Sequence, residues 1–414
     1  MTDLADPLPQ APAGWTRRTF SSLWVRNFRL FFVGQLISNS GNWLTIVAIT
    51  LLVLHRTGSG VAVGLLAACQ YGPLLVLSPF AGVIADRSDK RRLLYLTQGL
   101  EMAQSVVLAL LAFLPHVPLG WFFAVAAAGG CMLAFDNPAR RTFVNEMVAP
   151  QQVPNAVTLY SAIVNLSRLV GPTVAAALVV SVGYGWCFTV DAISYIAVLI
   201  ALVMMRDGEL RKVDRTPRGR GQVRAGLRYV AGVPELWITF LLLFVIGTVS
   251  YNFSVVFPIF VERALHGSDA NFALVYAMFS AGAVVGTLVV ARRTAVSLST
   301  TIAGAAAFGA SLLAMSVVPD LAWAYPAAAL VGGTSVAYMT ATTALAQLRA
   351  EGGMVGRVLA LQTMLLIGTT PLGGPLLGLL ADAVGGRAPV YAGAAGALLA
   401  AAVTAVLARN RVSG

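Results

Sequence analysis

Gly82 to Leu94 reads GVIADRSDKRRLL, two acids and four bases within thirteen residues. Before it lies LLVLSPFAGVIA and after it LLYLTQGLEMAQSVVLALLAFL, both apolar enough for lipid. A knot of charge between two such runs is what a short loop at a membrane surface needs. Composition agrees. Hydrophobic residues make up 58% of the 414 and charged residues 11%, whereas an ordinary soluble domain carries about 25% charge. So few charges could not cover a surface in water.

A bilayer core about 30 Å thick takes about 20 apolar residues in a helix rising about 1.5 Å per residue. Twelve such runs are expected, at 31–54, 61–84, 93–114, 119–137, 156–180, 186–205, 236–260, 271–291, 297–318, 322–346, 358–381 and 388–408. A soluble all-α core is excluded, because helices apolar on every face leave nothing to meet water. Cys69, Cys131 and Cys187 fall inside the runs and read as small core hydrophobes. The N-terminus has no basic start or cleavage pattern of a signal peptide, so the first long run is expected to be retained.

Of the 28 Lys and Arg, 24 lie on the side that contains both termini if twelve spans alternate. Arg56, Arg263 and Arg387 fall on the other side and Arg168 within a run. The positive-inside rule then puts both termini in the cytoplasm. It also accounts for the net charge of +11, since anionic lipid headgroups suffice as partner and no nucleic acid is implied. The expected organisation is an N-terminal segment (1–30), a first six-helix bundle (31–205), a basic linker (206–235), a second bundle (236–408) and a tail (409–414). The second half of the linker can form a short amphipathic helix on the membrane surface. RLVGPTVAAALVVSVGYGW in the fifth run and TTPLGGPLLGLLADAVGGR in the eleventh echo each other, as two six-helix repeats would.

The opening stretch resembles the major facilitator superfamily signature G-x-L-A-D-R-x-G-R-R. Gly82, Ala85, Asp86, Arg87 and Arg91 match it, Ile84 stands for its Leu and Lys90 for its first Arg, and Asp89 stands where the superfamily has Gly, which puts the tight turn in question. The resemblance implies a twelve-helix, all-α transporter fold and a gating latch. Gly82 would admit a neighbouring helix closely, and Asp86 would meet a positive helix N-terminus across the seam between the halves. The alternative is that these charges only anchor topology. FDNPARRTFVNEMVAPQQVPNAVTLYSAIVNLSRLVGP (135–172) resembles the enterobactin-exporter-like branch, which also holds macrolide and multidrug efflux proteins. Ala175-Ala176 replaces the Gly-Gly that completes the antiporter motif of the fifth helix, and Asn42 stands where this branch often carries Asp. The resemblance implies an exporter of drug-like compounds or siderophores in the bacterial inner membrane, with lipid or lysolipid flipping as the alternative substrate class. A non-transporting receptor or assembly protein would be expected to carry a soluble domain.

No phosphate-binding loop, HExxH, paired CxxC or GxSxG occurs, so neither an enzyme nor a nucleotide motor nor a cofactor is expected. An ion gradient remains, protons first and sodium as the alternative. Glu101, about 12 Å along its helix from Leu93, is one candidate carrier, because a carboxylate at membrane depth must be paired or protonated; Asp191, expected near the outer end of its run and within reach of water, is another. Asp136 with Arg140 is expected to join Arg91 in a gating network. Arg168 is the cation expected within the membrane, either on substrate or paired with Glu101. Polar groups on the runs that the resemblance places around the cavity are the substrate candidates: Gln35, Asn39 and Asn42 on one helix face, Tyr251 and Asn252, and Tyr338. A small amphipathic substrate and a monomer are expected.

Overall fold

The computed structural model describes residues 20–211, 222–290, 296–351 and 354–412. Most of the N-terminal segment, the middle of the linker and the end of the tail lie outside the described residues. So do Lys212, Arg215, Arg218, Arg220, Arg292 and Arg293, which count among the 24 bases. Among the described residues the chain is helical throughout and has no strand.

The helices are α1 (Arg26–Thr57), α2 (Gly60–Arg87), α3 (Lys90–Phe113), α4 (Leu119–Met147), α5 (Val153–Ser181) and α6 (Tyr184–Met204), followed by the short α7 (Gln222–Gly232). The remainder are α8 (Pro234–Val249), α9 (Phe253–Ile259), α10 (Asp269–Val290), α11 (Leu298–Ser316), α12 (Leu321–Arg349), α13 (Val355–Gly368), α14 (Thr370–Val384) and α15 (Ala388–Val412). Eleven segments among the described residues are long and apolar enough to cross a membrane, with α8–α9 and α13–α14 each continuing through a break as one span. The run expected at 322–346 forms α12, which is 29 residues long and is not among those eleven.

Large side chains stand bare around the outside, among them Leu110 at 59%, Val180 at 65%, Val203 at 66% and Leu399 at 65% exposure. In water this would be prohibitive; facing acyl chains it is the expected surface of a multi-pass membrane protein.

Helices α1 to α6 pack chiefly among themselves, with α1 against α5 and α6, α2 against α4, and α3 against α4 and α6. In the second group α10 packs on α12, α11 on α12 and α15, and α15 on α8. Two broad seams join the groups, α2 with α14 and α5 with α10. Glycine makes the first seam possible: a Cβ on Gly60 would come within 2.7 Å of the Gly378 carbonyl oxygen. The break between α8 and α9 is held by Asn252, whose amide donates to the Gly247 carbonyl at 3.2 Å and the Thr248 carbonyl at 2.7 Å. Those carbonyls lose helical partners at the break, and in lipid they must find others. In the linker, α7 turns Val230 into a cluster with Leu236, Phe240, Ala346, Val358 and Leu361.

Candidate functional site

Inside the first group, α1, α3, α4 and α6 bring together three carboxylates and one guanidinium, all nearly inaccessible. Glu101 is 3%, Asp136 0%, Arg140 7% and Asp191 1% exposed. Helical spacing builds the cluster. Thr97, Gln98, Glu101 and Ser105 share one face of α3, while Asp136 and Arg140 stand one turn apart on α4. Arg140 pairs with Asp136, reaches Glu101 at 3.6 Å and donates to the Asn39 Oδ1 at 3.0 Å. Gln98 Nε2 bridges the acids, donating to Glu101 Oε2 at 3.0 Å and Asp136 Oδ1 at 2.8 Å. Thr97 adds a second donor to Asp136 at 2.8 Å.

Asp191 closes the far end of the cluster, accepting from Thr45 Oγ1 and Ser105 Oγ, each at 2.7 Å. Ser105 also contacts the Glu101 carbonyl oxygen at 3.2 Å, so one hydroxyl touches both sections. A Cβ on Gly41 would stand 2.5 Å from Asp191 Oδ1. The polar face of α6 reaches α1 because residue 41 carries no side chain. If all three acids were ionised, Arg140 would leave two negative charges uncompensated in this cluster.

This arrangement departs from the sequence-based expectations in several ways. Glu101 pairs with Arg140 and not with Arg168. Asp136 and Arg140 join Glu101 in the interior, whereas Arg91 lies with the end of α6, donating to the Leu202 carbonyl from Nε at 2.9 Å and pairing with Asp207. Asp191 is buried among hydroxyls. The cluster's hydroxyl and amide partners, Thr45, Thr97, Gln98 and Ser105, were not singled out in the sequence. Their signal was the recurrence of small polar residues at helical spacing around Glu101 in an apolar run.

Around the signature, Lys90 pairs with Glu146. Asp89 is the N-cap of α3, with φ −64° and its side chain accepting from Arg92 N at 3.0 Å. The superfamily Gly is therefore replaced without strain, since no positive φ is required. Gly82 is half-buried and Arg87 exposed, and the Asp86 side chain lies outside the described residues.

The candidate substrate residues separate into two environments. Gln35 is buried and accepts from Asn39 Nδ2 at 3.0 Å, while Asn42 contacts the Tyr195 hydroxyl at 3.4 Å; all three look into the first group. Asn252 is spent on its helix break, and Tyr338 is buried, stacked on Phe308 with centroids 6.4 Å apart. Tyr251 and Arg168 face the seam between the groups. Tyr251 donates to the Ser335 carbonyl at 3.2 Å. Arg168 is exposed, with its guanidinium carbon 5.0 Å from the centre of the Trp43 ring. Trp43 in turn lies 6.1 Å from Tyr276 on α10.

Among the described residues, most polar contacts between the groups gather at the end remote from most of the bases. There Asp382 accepts from Ser59 Oγ at 2.8 Å, Gly60 N at 2.7 Å and Val61 N at 3.0 Å, and pairs with Arg263 at 2.8 Å. Arg263 also donates to the Gly58 carbonyl. Alongside, His55 Nε2 lies 3.2 Å from Asp269, and Tyr184 donates to Asp269 at 3.1 Å. At the basic end, among the described residues, the ion pairs of Lys90, Arg91 and Arg349 each remain within one group.

Comparison with known proteins fits this architecture. A profile described as transmembrane secretion effector, of the major facilitator type, matches residues 17–413. The multidrug efflux pump Tap of Mycolicibacterium fortuitum is 27% identical over 400 residues, covering 92% of this chain and 96% of that protein. The staphyloferrin A transporter of Staphylococcus aureus is 25% identical over 272 residues, covering 64% of this chain and 66% of that one. Among solved structures, a bacterial homologue of the human lysosomal transporter Spinster, inward-facing and occupied, superposes with a TM-score of 0.70 at 16% identity, over 96% of this chain and 98% of that one. The POT family transporter PepTSo does so with 0.75 at 11% identity, over 94% and 98%. These last two bear on fold alone. By the profile that spans nearly its whole length, the chain belongs to the transmembrane secretion effector family of the major facilitator superfamily.

Proposed function

We propose that this chain exports amphipathic small molecules, a drug-like compound or a siderophore, by proton antiport with alternating access. The observation that carries the proton half is the buried set of Glu101, Asp136 and Asp191 with Arg140 as its one cation. A deficit of two positive charges is expensive in an interior shielded from water. Binding protons removes it. Releasing them requires either water or a rearrangement of the same helices, which is what couples a proton to a conformational cycle.

Names of relatives supply the substrate class, since Tap is an efflux pump and the Staphylococcus protein a siderophore transporter. The alternating part draws on the asymmetry of the seam. Hydrogen bonds and close glycine contacts fasten the end remote from most of the bases, and among the described residues the ion pairs of the basic end lie within each group. With the basic end assigned to the cytoplasm by the positive-inside rule, this is an inward-facing arrangement. In the opposite state Gly82, Asp86, Arg87, Lys90 and Arg91 would form the cytoplasmic latch that the signature implies.

An accumulation assay in an efflux-deficient bacterium, across antibiotics and siderophores with and without a protonophore, tests this reading. Lowered accumulation of at least one compound, abolished by the protonophore, is expected. Protection that survives the protonophore and follows a sodium gradient would replace the coupling ion; no change with any compound would remove the export assignment.

A further inference from the structure

Arg168 is the charged side chain that the proton cluster does not use. It lies 15 residues past the start of α5 and 13 before its end, about 20 Å from either end of the helix and so near the middle of the bilayer. It is exposed, and among the described residues no carboxylate pairs with it. Glu101 can shed its charge by taking a proton. A guanidinium cannot, because arginine stays protonated at any pH a cell meets. A permanent cation at that depth has to face a water-filled cavity or a counter-ion.

Its neighbours show that it faces the seam and not lipid. The guanidinium sits over Trp43 of α1, and the hydroxyls of Tyr71 on α2, Tyr251 beyond α8 and Tyr276 on α10 are within its electrostatic reach. Ser280 of α10 donates to the Arg168 carbonyl at 3.0 Å, fixing the second group beside this turn of α5. Gly171 allows the Trp43 side chain to lie against α5, since a Cβ there would come within 2.5 Å of the Trp43 Cβ. The indole covers part of the guanidinium, and among the described residues no side chain accepts a hydrogen bond from its N–H donors. Those donors match a carboxylate in a bidentate pair. The surrounding rings offer a flat apolar body a place to lie.

We propose that Arg168 is the anion-binding point of the substrate site, and that the exported compound carries a carboxylate or similar oxyanion joined to an aromatic or otherwise apolar body. The oxyanion takes the N–H donors of the guanidinium and the body lies along Trp43, whose ring is only partly buried. This rests on the reading of the chain as an exporter, but binding measured without transport can fail separately from that reading. The same oxyanion chemistry is offered by a phospholipid headgroup, so the lipid source needs its own arm.

The test is equilibrium binding to the purified full-length protein in detergent, with radiolabelled 1-naphthylacetate, its neutral alcohol analogue and 1-naphthylmethylammonium. Wild type should bind the anion at least tenfold tighter than the other two. Arg168→Gln should weaken the anion tenfold to a hundredfold, the usual weight of a charge-assisted pair, and leave the alcohol unchanged. Arg168→Lys should retain part of the anion's affinity, which also guards against Arg168→Gln failing to fold. Lysophosphatidylglycerol should compete poorly; if it displaces the probe and itself binds tightest, the anion is a lipid headgroup and the proposal is wrong about the substrate. Equal binding of the three probes, no saturable binding of any, or an anion affinity unmoved in both variants would overturn it.

Discussion

Asp382 caps the first turn of α2: it accepts from the Gly60 amide at 2.7 Å across 322 residues of sequence. The cap joins the end of α14 in one helix group to the start of α2 in the other, and Arg263 holds the carboxylate from the side at 2.8 Å. A carboxylate at a helix N-terminus contributes both a cap and a favourable interaction with the helix dipole, roughly 1 kcal/mol each. Removing it in Asp382→Ala should raise the population open at that end by about tenfold or more. Spin labels at Thr57 and Val384, both exposed, should report a longer distance in the variant. An unchanged distance distribution would mean that the seam closes without this contact.

Gly378 supplies the second part of the closure. A side chain there would run into the Gly60 carbonyl and lie 2.9 Å from Val61 N. Gly378→Leu should therefore hold α2 and α14 apart, lowering export below about a tenth of wild type while the protein still reaches the membrane. Gly99 has open space where a Cβ would go, and Gly99→Ala should export at the wild-type rate.

Arg140 is the one cation among three buried acids, and its loss should be severe. Leaving a buried charge without its partner costs about 3–5 kcal/mol. Arg140→Gln should lower the melting temperature in detergent markedly, and adding Glu101→Gln should recover part of the loss. No recovery in the double variant would mean that Arg140 stabilises the fold through Asp136 and Asn39 alone.

Much of this was open to a reader of the sequence. Twelve apolar runs and the charge knot at Gly82–Leu94 were enough for the fold, because length and apolarity are local properties of the chain. The acids could be found too, since Glu101 and Asp191 are conspicuous in apolar runs. Their partners could not. Whether Arg140 or Arg168 meets Glu101 depends on the rotation of α4 and α5 about their axes, which helices apolar on nearly every face leave undetermined. Gln35, Asn39 and Asn42 share a helix face, yet that face looks into the bundle interior and not towards the seam. The cap at Asp382 spans the two groups, and no local pattern announces it.

Topology can be checked independently of transport. Reporter fusions after Gly208 and Gly414 should both report cytoplasm, and one at His116 the outside. A cytoplasmic signal at His116 would reverse the assignment of the basic end and turn the inward-facing arrangement into its opposite.

Proton uptake on addition of an exported compound to proteoliposomes tests the central claim most directly, with wild type beside Glu101→Gln and Asp191→Asn. The account requires uptake in wild type, loss of uphill export in at least one variant together with diminished uptake, and continued downhill exchange of substrate in that variant. Equal proton uptake and undiminished uphill export in wild type and both variants would contradict it and leave the buried carboxylates a purely structural role.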